Sequence, residues 1–228
     1  MTAPSSSNAP GSRLVATTYD EWFDRPWGSY ASSIERHALA RGVAGGARLV
    51  LDVGCGTGRL TIHPANATVV GVDRAWDMLV LARGRSLGSV VQADADHLPF
   101  ANGSFDLTTA TTLCEFTQSA EVTINELVRV TRPGGQIVLG ALNPASPWGR
   151  AHRRQFNAPP WSDATWLSER AVTRIGSKHG AVTTDTVLYA PGAAVGLARW
   201  GPWAERLGHA LAPHHGAFIV ATITVSSN

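Results

Sequence analysis

The chain has 228 residues, 44% of them hydrophobic and 16% charged, with a formal net charge of +2; that is enough for one domain with a substantial core. No apolar run approaches the length of about 18 residues that a membrane span needs, and no basic block suggests nucleic acid. Two cysteines, Cys55 and Cys114, exclude a disulfide framework and, without paired His or Cys neighbours, a zinc site. The expectation is a cytoplasmic protein, monomer or homodimer, with no metal and with neither a membrane nor a nucleic-acid partner.

Residues 1–13, MTAPSSSNAPGSR, lack the apolar stretch of a signal peptide and read as a disordered tail. Residues 14–45 read as a cap, with a helix over ASSIERHALARG (31–42). From residue 47 short β-branched runs alternate with helical stretches. ARLVLDV (47–53), TVVGVD (68–73), SVVQAD (89–94), FDLTTATT (105–112) and GQIVLGAL (135–142) are strand candidates. AWDMLVLARGRS (75–86) and AEVTINELVRVT (120–131) have helical apolar spacing. Residues 162–180 also look helical, with Ser162 or Asp163 as N-cap, and two strands follow at 181–190 and 216–225. Insertions interrupt the pattern at about 143–161 and 191–215. Apolar strands alternating with helices indicate an α/β fold, doubly wound and Rossmann-like, with helices on both faces of a mostly parallel sheet.

VGCGTGRLTIHPANATVVGVD (53–73) carries a glycine array after the first strand. Asp52 precedes Gly54, Gly56 and Gly58, and glycine lets backbone approach a ligand closely. The dinucleotide fingerprint would need glycine at 59, where Arg59 stands. Only 14 residues, Gly54 to Ala67, connect the first two strands, near the minimum for a crossover. Pro64 disfavours the helical region for His63, so a helix of one to two turns from Thr57 or Gly58 should end there. Asp73 ends the second strand and Asp94 the third. Three successive strands thus end in an acid at the edge where doubly wound sheets bind ligands.

These residues resemble the class I S-adenosylmethionine-dependent methyltransferases. LDVGCGTG is similar to their first motif, VVGVDRAWDML to the second, and QADADHLPF with SFDL to the third; ELVRVTRPGGQIVLGALN resembles the helix–turn–strand of the quinone C-methyltransferase branch. The resemblance implies a seven-stranded sheet with an antiparallel last strand over residues 46–228. It implies S-adenosylmethionine as cofactor, with Asp52 and the Gly54–Gly58 backbone, including Cys55, at the methionine end. Asp73 would take the ribose, Asp94 and Ala95 the adenine, and Arg74, Met78 and Leu113 the remaining walls.

Methyl transfer from a sulfonium is an in-line displacement whose hard chemistry belongs to the cofactor. The acceptor reads as a small molecule. Glu115, after the fourth strand, is the candidate base or amine-orienting group, and equally a polar residue beginning a loop. Cys55 and Cys114 read as packing residues. Arg150, His152, Arg153 and Arg154 could receive an anionic substrate group or form a solvated face. Four Pro-Trp pairs (26–27, 147–148, 160–161, 202–203) stand near expected helix starts. Trp27 and Trp148, with Tyr19, Trp22, Tyr30 and Asn143, are candidates to enclose a substrate. Two alternatives stay open: a non-catalytic relative acting through a partner, and a nicotinamide-dependent oxidoreductase. The latter would want a glycine in place of Arg59 and a Tyr-x-x-x-Lys pair, but Arg174 stands four residues before Lys178.

Overall fold

Strands form at Leu49–Val53 (β1), Thr68–Asp73 (β2), Ser89–Gln92 (β3), Phe105–Thr111 (β4), Thr131–Leu142 (β5), Gly180–Val187 (β6) and Phe218–Val225 (β7). The computed structural model describes residues 12–85, 87–152, 164–190 and 197–227, with backbone alone at Ser12, His152, Leu197 and Ala198. All seven strands join one sheet in the order β3-β2-β1-β4-β5-β7-β6. Neighbours from β3 through β5 are parallel, and β7 runs antiparallel to both β5 and β6. The chain reverses its strand order between β1 and β4, which places the ligand crevice at their carboxyl ends.

The period of two along a strand sorts the core onto two faces. Leu51, Val53, Ile137 and Leu139 join one cluster with Ile124, Leu127 and Val130 of α4 (Ala120–Val130) and Val172 and Ile175 of α6 (Glu169–Gly176). Val50, Leu107, Val138 and Phe218 face the other way, against Ala31, Ala38 and Leu39 of α2 (Pro26–Arg41). Leu79 and Ala82 of α3 (Trp76–Arg83) pack with Cys55 and Leu87. The remaining helices are α1 (Ser12–Trp22), α5 (Pro147–His152) and α7 (Leu197–Leu211). Among the described residues no helix is long and apolar enough to cross a membrane.

Four expectations change. Ser12 and Arg13, assigned to the tail, open α1; residues 1–11 lie outside the described residues. The helix expected over 162–180 is only eight residues long and is capped by Ser168, whose hydroxyl accepts the Ala171 N–H at 3.2 Å; Ser162 and Asp163 lie outside the described residues. Before Ser168 the chain is held out of helix by the Thr165 N–H, which donates to the Glu115 carbonyl at 2.8 Å. Pro202 sits inside α7 rather than at its start.

The fourth change is the largest: no helix forms between Gly58 and Thr68. Gly54, Gly56 and Gly58 all hold positive φ, and His63 precedes proline, so only Arg59–Ile62 could be helical. Four residues are too few to offset helix nucleation. Three of the four are also drawn elsewhere: Arg59 to Asp20 of α1, Thr61 to Asp52, Ile62 into the second core cluster.

Candidate functional site

The glycine loop leaves β1 at Val53 with φ of +69° at Gly54 and +53° at Gly56. A Cβ at Gly54 would lie 2.8 Å from Leu113 Cδ1, so only glycine lets Leu113 close over the loop. A Cβ at Gly56 would meet nothing nearer than Tyr19 Cε1 at 3.9 Å. The loop is tied down by the Cys55 N–H, which donates to the Val72 carbonyl at 2.9 Å. Asp73 completes the tie. Its carboxylate accepts the Gly56 N–H at 2.9 Å and the Ala75 N–H at 2.8 Å. That carboxylate stands where a dinucleotide's phosphate would need the free amide, which argues against the oxidoreductase alternative.

Asp52 is held from within the sheet. It is only 4% exposed, and its two oxygens accept the Thr61 hydroxyl at 2.5 Å and the Thr109 hydroxyl at 2.7 Å. Burial pushes its pKa up, against these two hydroxyls. Asp52 therefore anchors the far limb of the loop to β4 from within the sheet. Loss of both hydroxyls in a Thr61→Val, Thr109→Val double variant should destabilise the fold by about 2–4 kcal/mol, measured by urea unfolding.

The third strand ends at Gln92, short of the expected 94, and Asp94 stands two residues beyond it in a bridge to His97, exposed, its Oδ1 accepting the Asp96 N–H at 3.0 Å. Ala95 is buried beside it, Met78 is half-buried, and Arg74 is exposed. The thiols of Cys55 and Cys114 are both buried, and burial pushes both pKa values up. Neither can act as a thiolate.

The end of β4 turns abruptly at Thr112, a β-branched residue with φ of +47°; such a backbone costs about 1–3 kcal/mol. Its N–H is held by the Gly140 carbonyl at 2.8 Å. The turn aims Leu113 at Gly54 and sends Glu115, in a short 3₁₀ turn, between the ends of β4 and β5. There Oε1 accepts the Leu142 N–H at 2.8 Å. Oε2 is buried and, among the described residues, has no hydrogen-bond partner. Burial, opposed by the Leu142 amide, raises this carboxyl to about 7.

Helices α1 and α2 cover the side left open by the missing helix. Asp20 is the anchor: Arg59 donates to both its oxygens at 3.1 and 3.0 Å, and Arg85 donates at 2.5 Å. Arg59 also reaches Asp24 at 2.8 Å and lies over the Phe23 ring. Against the burial that would raise it, the guanidiniums hold the Asp20 pKa below its usual value. Arg59, which breaks the dinucleotide fingerprint, is thus the clasp between loop and cap. Asp20→Ala should leave Arg85 without its carboxylate and Arg59 with Asp24 alone, and cost about 1–3 kcal/mol because both guanidiniums are partly solvated, read as a lower urea midpoint.

Of the residues expected to enclose a substrate, Trp22, Trp27, Tyr30 and Trp148 all pack against one core cluster, together with Trp166. Trp27 stacks on Tyr30 at 5.8 Å and Trp148 lies 6.0 Å from Trp166. Tyr30 is fixed to α7, its hydroxyl donating to Glu205 at 3.1 Å. Asn143 is structural: its amide nitrogen donates to the His214 and Gly216 carbonyls at 3.0 and 2.8 Å, and its oxygen accepts the Ala145 N–H at 2.9 Å. Trp203 is 68% exposed and stands apart. His152 ends α5, its side chain undescribed, while Arg153, Arg154 and the 160–161 pair lie outside the described residues. Sequence reasoning passed over Asp20, Arg85, Trp166 and Glu35. For Glu35 a signal existed: with Gly28, Ala31, Ala38 and Leu39 it falls at three- and four-residue spacing on one helix face.

The comparisons agree with this geometry. A family model described as a methyltransferase domain matches residues 51–139. The uncharacterised protein MJ1123 of Methanocaldococcus jannaschii is 34% identical over 166 residues, 72% of this chain and 78% of the relative. A phosphatidylethanolamine N-methyltransferase of Cereibacter sphaeroides is 32% identical over 135 residues, 55% of this chain and 66% of the relative. Among solved structures, a possible histamine N-methyltransferase of Thermotoga maritima superposes with a TM-score of 0.75 at 22% identity, covering 95% of this chain and 98% of that one. A loop whose central amide is closed by an acid, with further acids along the same edge, suits a nucleoside bearing an ammonium rather than a pyrophosphate. Loop, edge and relatives lead to one assignment: the chain belongs to the class I S-adenosylmethionine-dependent methyltransferases, with S-adenosylmethionine as its methyl donor.

Proposed function

We propose that the acceptor is a small molecule bearing an amine, and that Glu115 orients it and takes its proton. The observation that carries this reading is the buried Oε2 of Glu115, which among the described residues has no hydrogen-bond partner, at the end of the strand facing the glycine loop. Bound cofactor supplies an electrophilic methyl on a sulfonium. The chain's part is to hold the acceptor nitrogen on the methyl axis, where alignment contributes about 7–11 kcal/mol. As the N–C bond forms and the C–S bond breaks, the nitrogen sheds a proton. A carboxyl raised to about 7 is matched to receive it near neutral pH. The partly buried Trp22, Trp27 and Trp148 supply apolar wall. By its name the relative of Cereibacter sphaeroides methylates nitrogen, which supports the amine class.

Transfer of labelled methyl to panels of small amines, alcohols, thiols and carboxylates tests the reading. Turnover confined to amines and dependent on Glu115 is the expected result. Turnover confined to the other panels would overturn it. We also expect a monomer or homodimer acting in the cytoplasm, which light scattering and cell fractionation would check.

A further inference from the structure

Helix α7 has two unlike sides. Its inner side is pressed flat against the body: a Cβ on Gly201 would run into the Tyr30 ring, and one on Gly208 into the Tyr189 ring. Glu205, the only acid of the helix, also turns inward. Its carboxylate accepts the Tyr30 hydroxyl at 3.1 Å and the Leu188 and Tyr189 amides at 2.9 Å each. A helix that gives its one negative charge to the interior keeps none for its outer side. There Trp200, Trp203, Leu207 and Leu211 recur at spacings of three and four residues, which sets them along one stripe. They are 65%, 68%, 51% and 75% exposed. Scattered apolar residues on a surface need no explanation, but a row of four large ones marks a contact surface.

Charge at the rim of the stripe selects what covers it. At the helical angle per residue, Arg199 and Arg206 fall together along one flank of the apolar row. Both are exposed and, among the described residues, neither joins an ion pair. On the other flank of the helix His209 comes within 3.6 Å of Asp185, which Arg41 already neutralises at 3.1 Å. A second copy of the chain would meet this positive rim with its own arginines, whereas an anionic surface complements it. We propose that α7 lies on the surface of an anionic lipid bilayer. Its tryptophans and leucines enter the boundary between headgroups and acyl chains, and Arg199 and Arg206 meet the lipid phosphates. Tryptophan suits that boundary because its ring is apolar and its N–H is not. Basic residues beside an apolar helix face are drawn to a negative leaflet. The expectation of no membrane partner rested on the lack of a spanning run. At 15 residues α7 is indeed too short to cross, but a helix lying in the interface need not cross.

The test is co-sedimentation of the full chain with two kinds of vesicle, phosphatidylcholine alone and phosphatidylcholine mixed with phosphatidylglycerol. Neither cofactor nor acceptor is needed, so the outcome is independent of the amine reading of the substrate. Wild type should sediment with the mixed vesicles at low salt, and its partitioning should fall at least about tenfold on phosphatidylcholine alone or at high salt. The double variant Trp200→Ser, Trp203→Ser should lose at least about tenfold on the mixed vesicles. Both side chains stand largely in water, so its urea unfolding should match that of wild type. The double variant Arg199→Gln, Arg206→Gln should lose a similar factor on the mixed vesicles, together with most of the salt dependence. Should the tryptophan variant fail to fold, the arginine variant, which leaves the stripe intact, must still show that loss. Wild type that sediments with neither preparation overturns the proposal, and so does binding that either folded double variant leaves unchanged. A wild-type dimer in light scattering that the tryptophan replacements make monomeric also overturns it, because a second copy would then cover the stripe.

Discussion

Asp73→Ala is expected to bind S-adenosylhomocysteine at least about 100-fold more weakly than wild type. Two effects add. On the reading proposed from the family resemblance the carboxylate accepts the ribose hydroxyls, and it also holds the loop through the Gly56 and Ala75 amides at 2.9 and 2.8 Å. Hydrogen bonds to a charged group contribute about 1.5–3 kcal/mol each, and the variant loses the ribose contact while releasing Gly56. Asp94 lies exposed with a single local bond, so Asp94→Ala should lose no more than about tenfold, as one solvated hydrogen bond allows. Calorimetric titration of both variants measures the contrast. If Asp73→Ala, still folded, bound within about fivefold of wild type, the acid would have no direct part in holding the cofactor.

Glu115→Gln should lower kcat by about 100-fold or more, the usual contribution of a positioned base, with a smaller change in KM. The wild-type rate should rise through pH 7 as the carboxyl ionises, and the variant should lack that limb. Stability gives a second, independent reading. The folded pKa of about 7 lies above the usual 4.5, so the folded state holds this proton more tightly than the unfolded chain does. The contribution of Glu115 is therefore most favourable below pH 4.5 and is lost as pH rises from there through 7, by about 3 kcal/mol in total. The variant carries no such loss. Its stability relative to wild type should be about 3 kcal/mol better at pH 8 than at pH 4.5, whatever constant amount the buried amide contributes. Urea unfolding at the two pH values measures this difference. A variant that tracks wild type at both would mean that Glu115 is ionised and solvated.

The sheet was readable in the sequence because its strands are β-branched or apolar runs, the first two closed by Gly54 and Asp73; β2 spans the expected 68–73 without change. The three acids and the glycine loop were readable for the same reason, since they lie at fixed offsets from those strands. What could not be read depends on partners far along the chain. The helix expected over Arg59–Ile62 gave way to contacts with Asp20, 39 residues earlier, and to a hydroxyl contact to Asp52 inside the sheet. Asn143 looked like a ligand group because its neighbours in sequence do not include His214 and Gly216, which occupy its amide 71 and 73 residues later.

The missing helix after the glycine loop has a consequence for how ligands come and go. One wall of the site is α1, clasped to the glycine loop and to the end of α3 through Asp20, Arg59 and Arg85, whose guanidiniums are partly open to solvent. Such a wall can detach as a unit while β1, β2 and β4 stay paired, because its contacts are few beside those of the core. Amide protons of α1 should therefore exchange with solvent well ahead of those of the central strands, and the interval between should close when S-adenosylhomocysteine is bound. Exchange of used cofactor for fresh then needs no disturbance of the sheet, and its speed is set by how often an ionic clasp at the amino-terminal end lets go.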